Sequence, residues 1–190
     1  MNLVIIRYGE TEEGRKGVIL GSLPGTLSAK GKKEAVRVAE FLKKRKEIPE
    51  IIMVSDLERA KKTAEIIGEK LKIPIILKRI LRERGAGAAE GKTEKEIDWE
   101  KYEGPHLIKR KHKGGENFQE VKERAEKFLE AVFKNKKYSN ILIVSHDVFV
   151  RMILAVWLNK SVKGSLSLDI KGRVVIIDTK KRKKAEVIPL

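Results

Sequence analysis

Three short segments of the chain are almost continuously apolar, and they lie at residues 2–6, 51–54 and 141–144. An apolar run of this length predicts a strand that is buried on both faces of a sheet. A shorter strand is predicted at residues 74–77. These strands are far apart in sequence, so longer elements are expected to connect them.

Amphipathic segments alternate with the strands. Apolar residues recur at helical spacing over about residues 29–46, 57–71 and 116–133, and again from Val150 to Trp157. Ser28 precedes the first helix and is predicted to be its N-cap. The alternation of strand and helix predicts an α/β fold of three layers, with a mostly parallel central sheet and helices on both faces.

The remaining segments are richer in glycine or more weakly patterned. Residues 12–27 are predicted to form a long loop, and about 84–115 a substrate or lid loop. No repeat or linker divides the chain, so residues 1–190 are predicted to form a single domain. Three apolar or alternating segments of the tail are predicted to be short, partly antiparallel strands: Leu166 to Ile170, Val174 to Ile177 and Ala185 to Ile188.

The charge of the chain raises the question of an anionic partner. Charged residues make up 37% of the sequence, and the formal net charge is +16. Such a charge can attract nucleic acid without sequence specificity. The basic residues, however, fall on polar helix faces and in runs at 43–46, 109–113 and 180–184, with no interleaved aromatic residues to stack on bases. We therefore expect the basic residues to form solvated faces, and a basic protein associated with nucleic acid stays a third, less favoured interpretation.

Other features of the composition concern the cellular setting. The chain has no cysteine, which excludes disulfides and thiolate metal sites. No apolar run approaches the roughly 18–20 residues that a membrane span requires. Met1 leads directly into an apolar strand, so we expect no signal peptide and a cytoplasmic location. Abundant Lys and Glu with little Asn, Gln or Met is typical of hyperthermophile proteins.

Side chains that can bind an anion follow the predicted strands. Arg7 follows the first strand, Arg59 comes shortly after the second, and His146 follows the strand at 141–144. Because parallel strands end at one edge of a sheet, where such folds bind ligands, we expect these side chains to converge. The arginine fork matches phosphate geometry, and helix N-termini at the same edge add donors. The sequence therefore predicts a phosphate site.

Several short motifs occur in the order found in a known family. They are Arg7-Tyr8-Gly9-Glu10-Thr11, Ser55 to Ala64, Leu81 to Gly91, Gly114-Gly115-Glu116 and Val144-Ser145-His146. Through these motifs, which span most of the chain, it resembles the histidine phosphatase superfamily of phosphoglycerate-mutase-like enzymes. The chain lacks room for the long insertions of true mutases, so we expect a phosphatase.

The resemblance implies hydrolysis of a small phosphoric monoester through a phosphohistidine, without a metal or other cofactor. Arg7, Arg59 and His146 would hold the phosphate oxygens, and Glu83 would protonate the leaving alcohol and then activate water. Tyr8 stands where the family has its nucleophilic histidine. A phenol is a weak nucleophile at neutral pH, because its ordinary pKa is about 10. The expected catalytic residues are Tyr8, Glu83 and His146, and activity is expected to be reduced or lost.

The sequence allows four interpretations of Tyr8. It is a vestige in a phosphate-binding pseudoenzyme, a nucleophile activated by arginines, an introduced or strain-specific change in an active phosphatase, or a bystander to chemistry by another group. Gly14 and Asp147 also depart from the family pattern, in which Asn and Gly are common. His106 and His112 lie in the middle loop, and neither is expected to replace the missing histidine. The sequence indicates no oligomeric state and no particular substrate.

Overall fold

The computed structural model describes residues 1–46, 48–104, 106–180 and 184–190. Within these ranges one sheet contains the strands β1 (Asn2–Arg7), β2 (Ile51–Val54), β3 (Ile75–Leu77), β4 (Asn140–Ser145), β5 (Arg173–Asp178) and β6 (Glu186–Pro189). Their order is β3-β2-β4-β1-β5-β6. The first four run parallel, whereas β5 and β6 are antiparallel to their neighbours. The predicted, mostly parallel sheet is confirmed.

Helices cover both faces of the sheet. They are α1 (Glu12–Arg15), α2 (Ala29–Arg45), α3 (Glu58–Leu71), α4 (Phe118–Lys134), α5 (Asp147–Trp157) and α6 (Val162–Leu166). One apolar cluster joins α2 and α3 to the sheet, and a second joins α4 and α5 to its other side. Alternate residues of β1 enter different clusters, as the buried Leu3 and Val4 do. The predicted three-layer α/β fold is therefore confirmed.

The turn after β1 is pressed against the N-terminus of α2. Ser28 caps this helix as predicted, accepting a hydrogen bond from the Gly31 amide at 3.0 Å. A Cβ atom on Gly31 would lie 2.1 Å from the Glu10 carbonyl oxygen, and one on Gly9 would lie 2.3 Å from the Gly31 carbonyl oxygen. Only glycine permits backbones to approach so closely. Close contact with α2 thereby fixes the position of this turn relative to the end of β1.

The predicted strand from Leu166 to Ile170 is wrong. Leu166 is the last residue of α6, whose N-cap Ser161 accepts a hydrogen bond from the Gly164 amide at 3.1 Å. The carbonyl oxygens of Leu166 and Leu168 accept hydrogen bonds from Arg151 on α5, instead of from a neighbouring strand. The apolar spacing that suggested a strand reflects packing of a short helix and turn against the core.

The two predicted loops are only partly irregular. The 12–27 segment begins with α1, and the middle segment contains 3-10 turns such as Gly87–Ala89 and Glu94–Glu96. Backbone hydrogen bonds join the two loops: Ile19 N donates to Lys92 O, and Gly91 N donates to Ile19 O, both at 2.8 Å. The two loops are therefore joined by hydrogen bonds and lie together beside the sheet edge.

The surface bears the basic runs noted in the sequence. Lys43 and Lys44 are exposed in the last turn of α2, where positive charge is favourable to the helix dipole. Part of the run at 180–184 lies outside the described residues. Among the helices that the structure describes, none is both long enough and apolar enough to cross a membrane.

Candidate active site

The candidate site lies where β1 and β4 end side by side. Arg7 is paired in register with Ser145, and the Tyr8 amide donates to the Ser145 carbonyl oxygen at 2.9 Å. After β1 the chain crosses to the face covered by α2, whereas after β4 it crosses to the face covered by α5. Adjacent strands whose connections leave on opposite faces create a crevice for ligands. Tyr8 and His146 meet at this crevice.

Three amides of the turn after β1 already donate hydrogen bonds within the protein. The Gly9 amide donates to Thr63 Oγ1 at 3.2 Å, and the Glu10 amide donates to Glu34 Oε2 at 2.9 Å. The Tyr8 amide is used by β4, as described above. Recognition of an anion at this turn therefore depends on side chains, since these amides already have partners.

The ring of Tyr8 occupies the centre of the predicted phosphate site. The guanidinium carbon of Arg7 lies 4.5 Å from the ring centroid, and that of Arg59 lies 4.8 Å away. The ring of His146 is 5.1 Å from the Tyr8 ring, centroid to centroid. Arg7 Nη2 also donates to the Tyr8 hydroxyl at 3.3 Å. The structure thus brings Arg7, Arg59 and His146 together, and it places the phenol among them.

Four buried nitrogen atoms around this ring lack a hydrogen-bond partner among the described residues. They are Arg7 Nε, Arg59 Nε, and Nδ1 and Nε2 of His146. An unsatisfied buried polar group costs about 1–3 kcal/mol, and most such groups in proteins are satisfied by protein, water or a ligand. Four such atoms from three neighbouring side chains indicate a binding site for a polar ligand.

The charge state of His146 follows from its surroundings. Its side chain is completely buried. Burial, together with the positive charges of Arg59 and Arg7, lowers the pKa of His146 well below its ordinary value. Arg7 stays charged: burial by itself lowers the pKa of its guanidinium, but Tyr8, Asp147 and Glu83 raise it, and the net direction is upward. A neutral imidazole therefore lies beside a permanent cation.

Arg59 ties the 12–27 loop to the site. It is 1% exposed near the start of α3 and donates to the carbonyl oxygens of Gly21 at 2.7 Å, Pro24 at 3.3 Å and Leu23. Its Nη atoms are thus engaged by the loop, and Nε is left without a partner. The side chain predicted to hold phosphate also holds the loop in place.

Glu83 lies at the N-terminus of α5. Its carboxylate accepts hydrogen bonds from the Arg84 amide at 2.8 Å and from the Val148 amide at 3.2 Å. Burial raises the pKa of Glu83, and the neighbouring Asp147 raises it further, although the Arg84 amide acts in the opposite direction. The surroundings thus stabilise the protonated form relative to that of an exposed glutamic acid, which is the direction that a proton donor requires.

Asp147, which departs from the family pattern, adds a second carboxylate close to Glu83 and Arg7. Arg151, one turn later on α5, contacts both of its oxygen atoms, with Nε 2.9 Å from Oδ2 and Nη2 3.3 Å from Oδ1. The carboxylate still raises the pKa of Glu83 and of Arg7. Asp147 is thus held in place by Arg151, and its negative charge changes the pKa values of Glu83 and Arg7.

A cleft of about 280 Å³ opens beside these residues. Arg7, Tyr8, Arg59 and Glu83 line it, together with apolar residues of the two loops. His146 does not line the cleft, because it is packed against Tyr8 and has no exposed surface. In this arrangement the phenol separates the imidazole from the space that a substrate would enter.

Sequence reasoning missed two arginines that lie close to Glu83. Arg84 lines the cleft directly after Glu83. Arg124 lies on α4 and donates hydrogen bonds to the backbone of the segment around Glu83. The available signal was a charged residue at helical spacing between the apolar Val121 and Phe128. His112 is buried against Tyr102, 4.8 Å between ring centroids, and does not line the cleft.

Comparison with known proteins gives a consistent result. The model of the histidine phosphatase superfamily (branch 1) matches residues 3–187. A metal-independent phosphoserine phosphatase of Arabidopsis thaliana is 32% identical over 158 residues, which cover 80% of this chain and 66% of that protein. Phosphoglycerate mutase 1 of Saccharomyces cerevisiae is 40% identical over 97 residues, 50% of this chain and 39% of that protein. The chain spans less than two thirds of the length of either relative.

A solved structure agrees with this comparison. The alpha-ribazole phosphatase from Shigella flexneri superposes with a TM-score of 0.83 at 26% sequence identity, covering 100% of this chain and 96% of that one. The fold that positions Tyr8, Arg59 and His146 is therefore one that known phosphatases share.

Proposed function

The chain belongs to the histidine phosphatase superfamily, and we propose that it binds small phosphoric monoesters in the cleft beside Tyr8 and hydrolyses them slowly. The observation that carries this proposal is the group of four unpartnered, buried nitrogen atoms on Arg7, Arg59 and His146. Arg7 and Arg59 line the cleft, so oxygen atoms of a phosphate bound there would supply partners for their Nε–H donors, and the two guanidinium groups would balance its charge. Tyr8 in place of the nucleophilic histidine is the reason to expect slow turnover.

Glu83 is the proton donor in this proposal. The oxygen of a water molecule forms a bond to phosphorus as the bond between phosphorus and the alcohol oxygen breaks. The proton of Glu83 passes to the alcohol oxygen, and a proton of the attacking water passes to Glu83 and restores the acid. The raised pKa of Glu83 supports this role, because it favours the protonated form. Arg7 and Arg59 neutralise charge on the phosphoryl oxygens during transfer.

A phosphate-binding pseudoenzyme is the second candidate, and one observation favours it. The Tyr8 ring lies within 5.1 Å of the ring of His146 and packs against both arginines. A phosphate that reaches all three side chains therefore has to displace the phenol or bind beside it. In this alternative the site retains its cations for binding, while the group that would accept the phosphoryl is absent.

Phosphate binding is tested by thermal unfolding. Inorganic phosphate at 100 times its Kd is expected to stabilise the chain by about 2.7 kcal/mol, and orthovanadate is expected to act in the same way. For a chain of this size that corresponds to a rise in Tm of roughly 5–11 °C. Sodium chloride of equal ionic strength is the control for screening. An absent shift, or one that persists in Arg7→Ala with Arg59→Ala, would remove the phosphate site from the proposal.

The pH dependence of stability tests the state of His146. Its pKa is lowered in the folded protein, so the unfolded chain takes up a proton that the folded chain does not as pH falls below about 6.5. The stability contributed by neutral His146 is complete above that pH and declines below it. We expect Tm to fall more steeply from pH 6.5 to about pH 5 in the unmodified chain than in His146→Gln. Equal slopes would contradict a neutral, buried imidazole.

Phosphate is expected to reduce this pH dependence. A phosphate bound beside Tyr8 lies close to His146, whose ring centroid is 5.1 Å from that of Tyr8, and its negative charge raises the pKa of His146 by favouring the charged imidazolium. The fall in Tm on acidification is thus smaller in the presence of phosphate for the unmodified chain, whereas His146→Gln shows no such change. Phosphate itself also titrates, but it does so equally with both chains. The difference in Tm between the unmodified chain and His146→Gln therefore reports the titration of His146.

A further inference from the structure

Arg124 is a charged residue on the sheet-facing side of α4, and 18% of its side chain is exposed. Each of its five N–H donors has a partner. Nη1 donates to the carbonyl oxygens of Ile80 at 2.8 Å and Arg82 at 2.7 Å, and Nη2 donates to that of Glu83 at 3.2 Å. The other two bonds go to the Glu116 carboxylate, from Nε at 3.1 Å and from Nη2 at 2.8 Å.

Glu116 extends this network past Glu83. Its Oε2 accepts a hydrogen bond from the Gly85 amide at 2.9 Å, and its own amide donates to the Gly85 carbonyl oxygen at 2.8 Å. Arg84 Nη1 donates to the Glu116 carbonyl oxygen at 3.1 Å. The backbone is therefore held on both sides of Glu83, by Arg124 directly before it and by Glu116 after it.

The guanidinium group of Arg124 also contacts an aromatic ring of α5. Its central carbon lies 4.8 Å from the ring centroid of Phe149 on α5. The residue before Phe149 is Val148, whose amide donates to the Glu83 carboxylate. Arg124 thus contacts the segment that carries Glu83. It also contacts α5, the helix whose N-terminal amide donates a hydrogen bond to the Glu83 carboxylate.

We infer that Arg124 is a positioning residue for Glu83: it holds the 80–85 backbone against α5, so that the carboxyl group faces the cleft at a fixed place. This inference rests on the proposed role of Glu83 as proton donor. Five donors in a rigid plane are needed for the observed bonds, and lysine has only three on a flexible stem. A displacement of about 1 Å in a reacting group can lower a rate by about 100-fold.

A positioning role differs from a structural one in its dependence on the leaving group. An alkyl phosphate releases a strongly basic alkoxide and needs a well-placed proton donor. p-Nitrophenyl phosphate releases a weakly basic phenolate and needs it much less. Loss of position at Glu83 therefore affects the two substrates unequally, whereas general destabilisation affects them alike.

The experiment compares Arg124→Gln, Arg124→Lys and Glu83→Gln in the unmodified chain and in a Tyr8→His background. For both Arg124 variants we expect kcat on phosphoserine to fall about 30- to 100-fold, with KM within about twofold and only a few-fold loss on p-nitrophenyl phosphate. Val132→Ala, a core truncation on the same helix, controls for lost stability and is expected to lower neither value selectively. Equal losses on the two esters, or a raised KM with unchanged kcat, would overturn the inference.

Amide hydrogen exchange gives a readout that needs no turnover. In Arg124→Gln the amides of Arg84 and Gly85 are expected to exchange about ten times faster or more, and in Val132→Ala they are expected to change no more than the rest of the chain. Unchanged exchange in Arg124→Gln would overturn the inference even if no chain hydrolyses either ester. Absent hydrolysis in both backgrounds would instead count against the proposed phosphatase function.

Discussion

Tyr8→His is expected to raise the rate of p-nitrophenyl phosphate hydrolysis by about 10³-fold or more. Removal of a nucleophile from other enzymes costs up to about 10⁶-fold in kcat, and the remaining parts of this site are in place. Arg7 and Arg59 already contact the side chain at position 8, and His146 lies beside it. An imidazole is smaller than the phenol, so the substitution also leaves room for a phosphoryl group.

Tyr8→Phe separates the interpretations of the unmodified chain. If the residual rate comes from water, loss of the hydroxyl leaves it nearly unchanged. Strong turnover in the unmodified chain that disappears in Tyr8→Phe would instead identify Tyr8 as the nucleophile and contradict the proposal of slow turnover. A Tyr8→His chain that binds phosphate but gains no activity would favour the binding protein over the phosphatase.

Arg59→Met is expected to weaken phosphate binding and the fold together. The carbonyl oxygens of Gly21, Leu23 and Pro24 lose their donor, and unsatisfied buried groups cost about 1–3 kcal/mol each. We expect a loss of about 2–4 kcal/mol in the free energy of unfolding, since the loop can partly relax. This lowers Tm by roughly 4–16 °C and abolishes most of the further rise caused by phosphate.

Arg37→Met is the matched control, because Arg37 is exposed on α2 and lies outside the cleft. It removes the same formal charge and is expected to leave both Tm and the phosphate response nearly unchanged. Arg59→Lys keeps the charge without the fork, so we expect it to remain destabilised. If Arg59→Met retained the full phosphate response, Arg59 would be a loop anchor and not a phosphate ligand.

The placement of the main site residues could be predicted because it follows from chain topology. Arg7 and His146 each follow an apolar strand, and parallel strands deliver their carboxyl ends to one edge. The side-chain arrangement could not be predicted in this way. Nothing in the spacing indicates that Tyr8 packs between cations and covers His146, since that depends on rotamers chosen by the whole pocket. The helical spacing likewise places Arg124 on the same face of α4 as the apolar residues, but it does not predict the five hydrogen bonds that Arg124 donates.

The wrong strand at Leu166 to Ile170 has a related cause. Apolar residues at that spacing suit either a half-buried strand or a short helix and turn. In the structure, Arg151 of α5 donates hydrogen bonds to the carbonyl oxygens of Leu166 and Leu168, which stabilises the helix and turn. The local apolar pattern therefore could not distinguish a strand from a helix in this segment, because the hydrogen bonds that stabilise the helix and turn come from another element.

The unpartnered nitrogen atoms around Tyr8 have an evolutionary consequence. A buried nitrogen atom costs stability unless solvent or a ligand satisfies it, so a group of such atoms is the kind of feature by which a binding site lowers the stability of a fold. Tyrosine and histidine codons differ in a single base. Selection on phosphate-ester hydrolysis therefore has a one-step route from this chain to a histidine at position 8, and no intermediate has to rebuild the pocket.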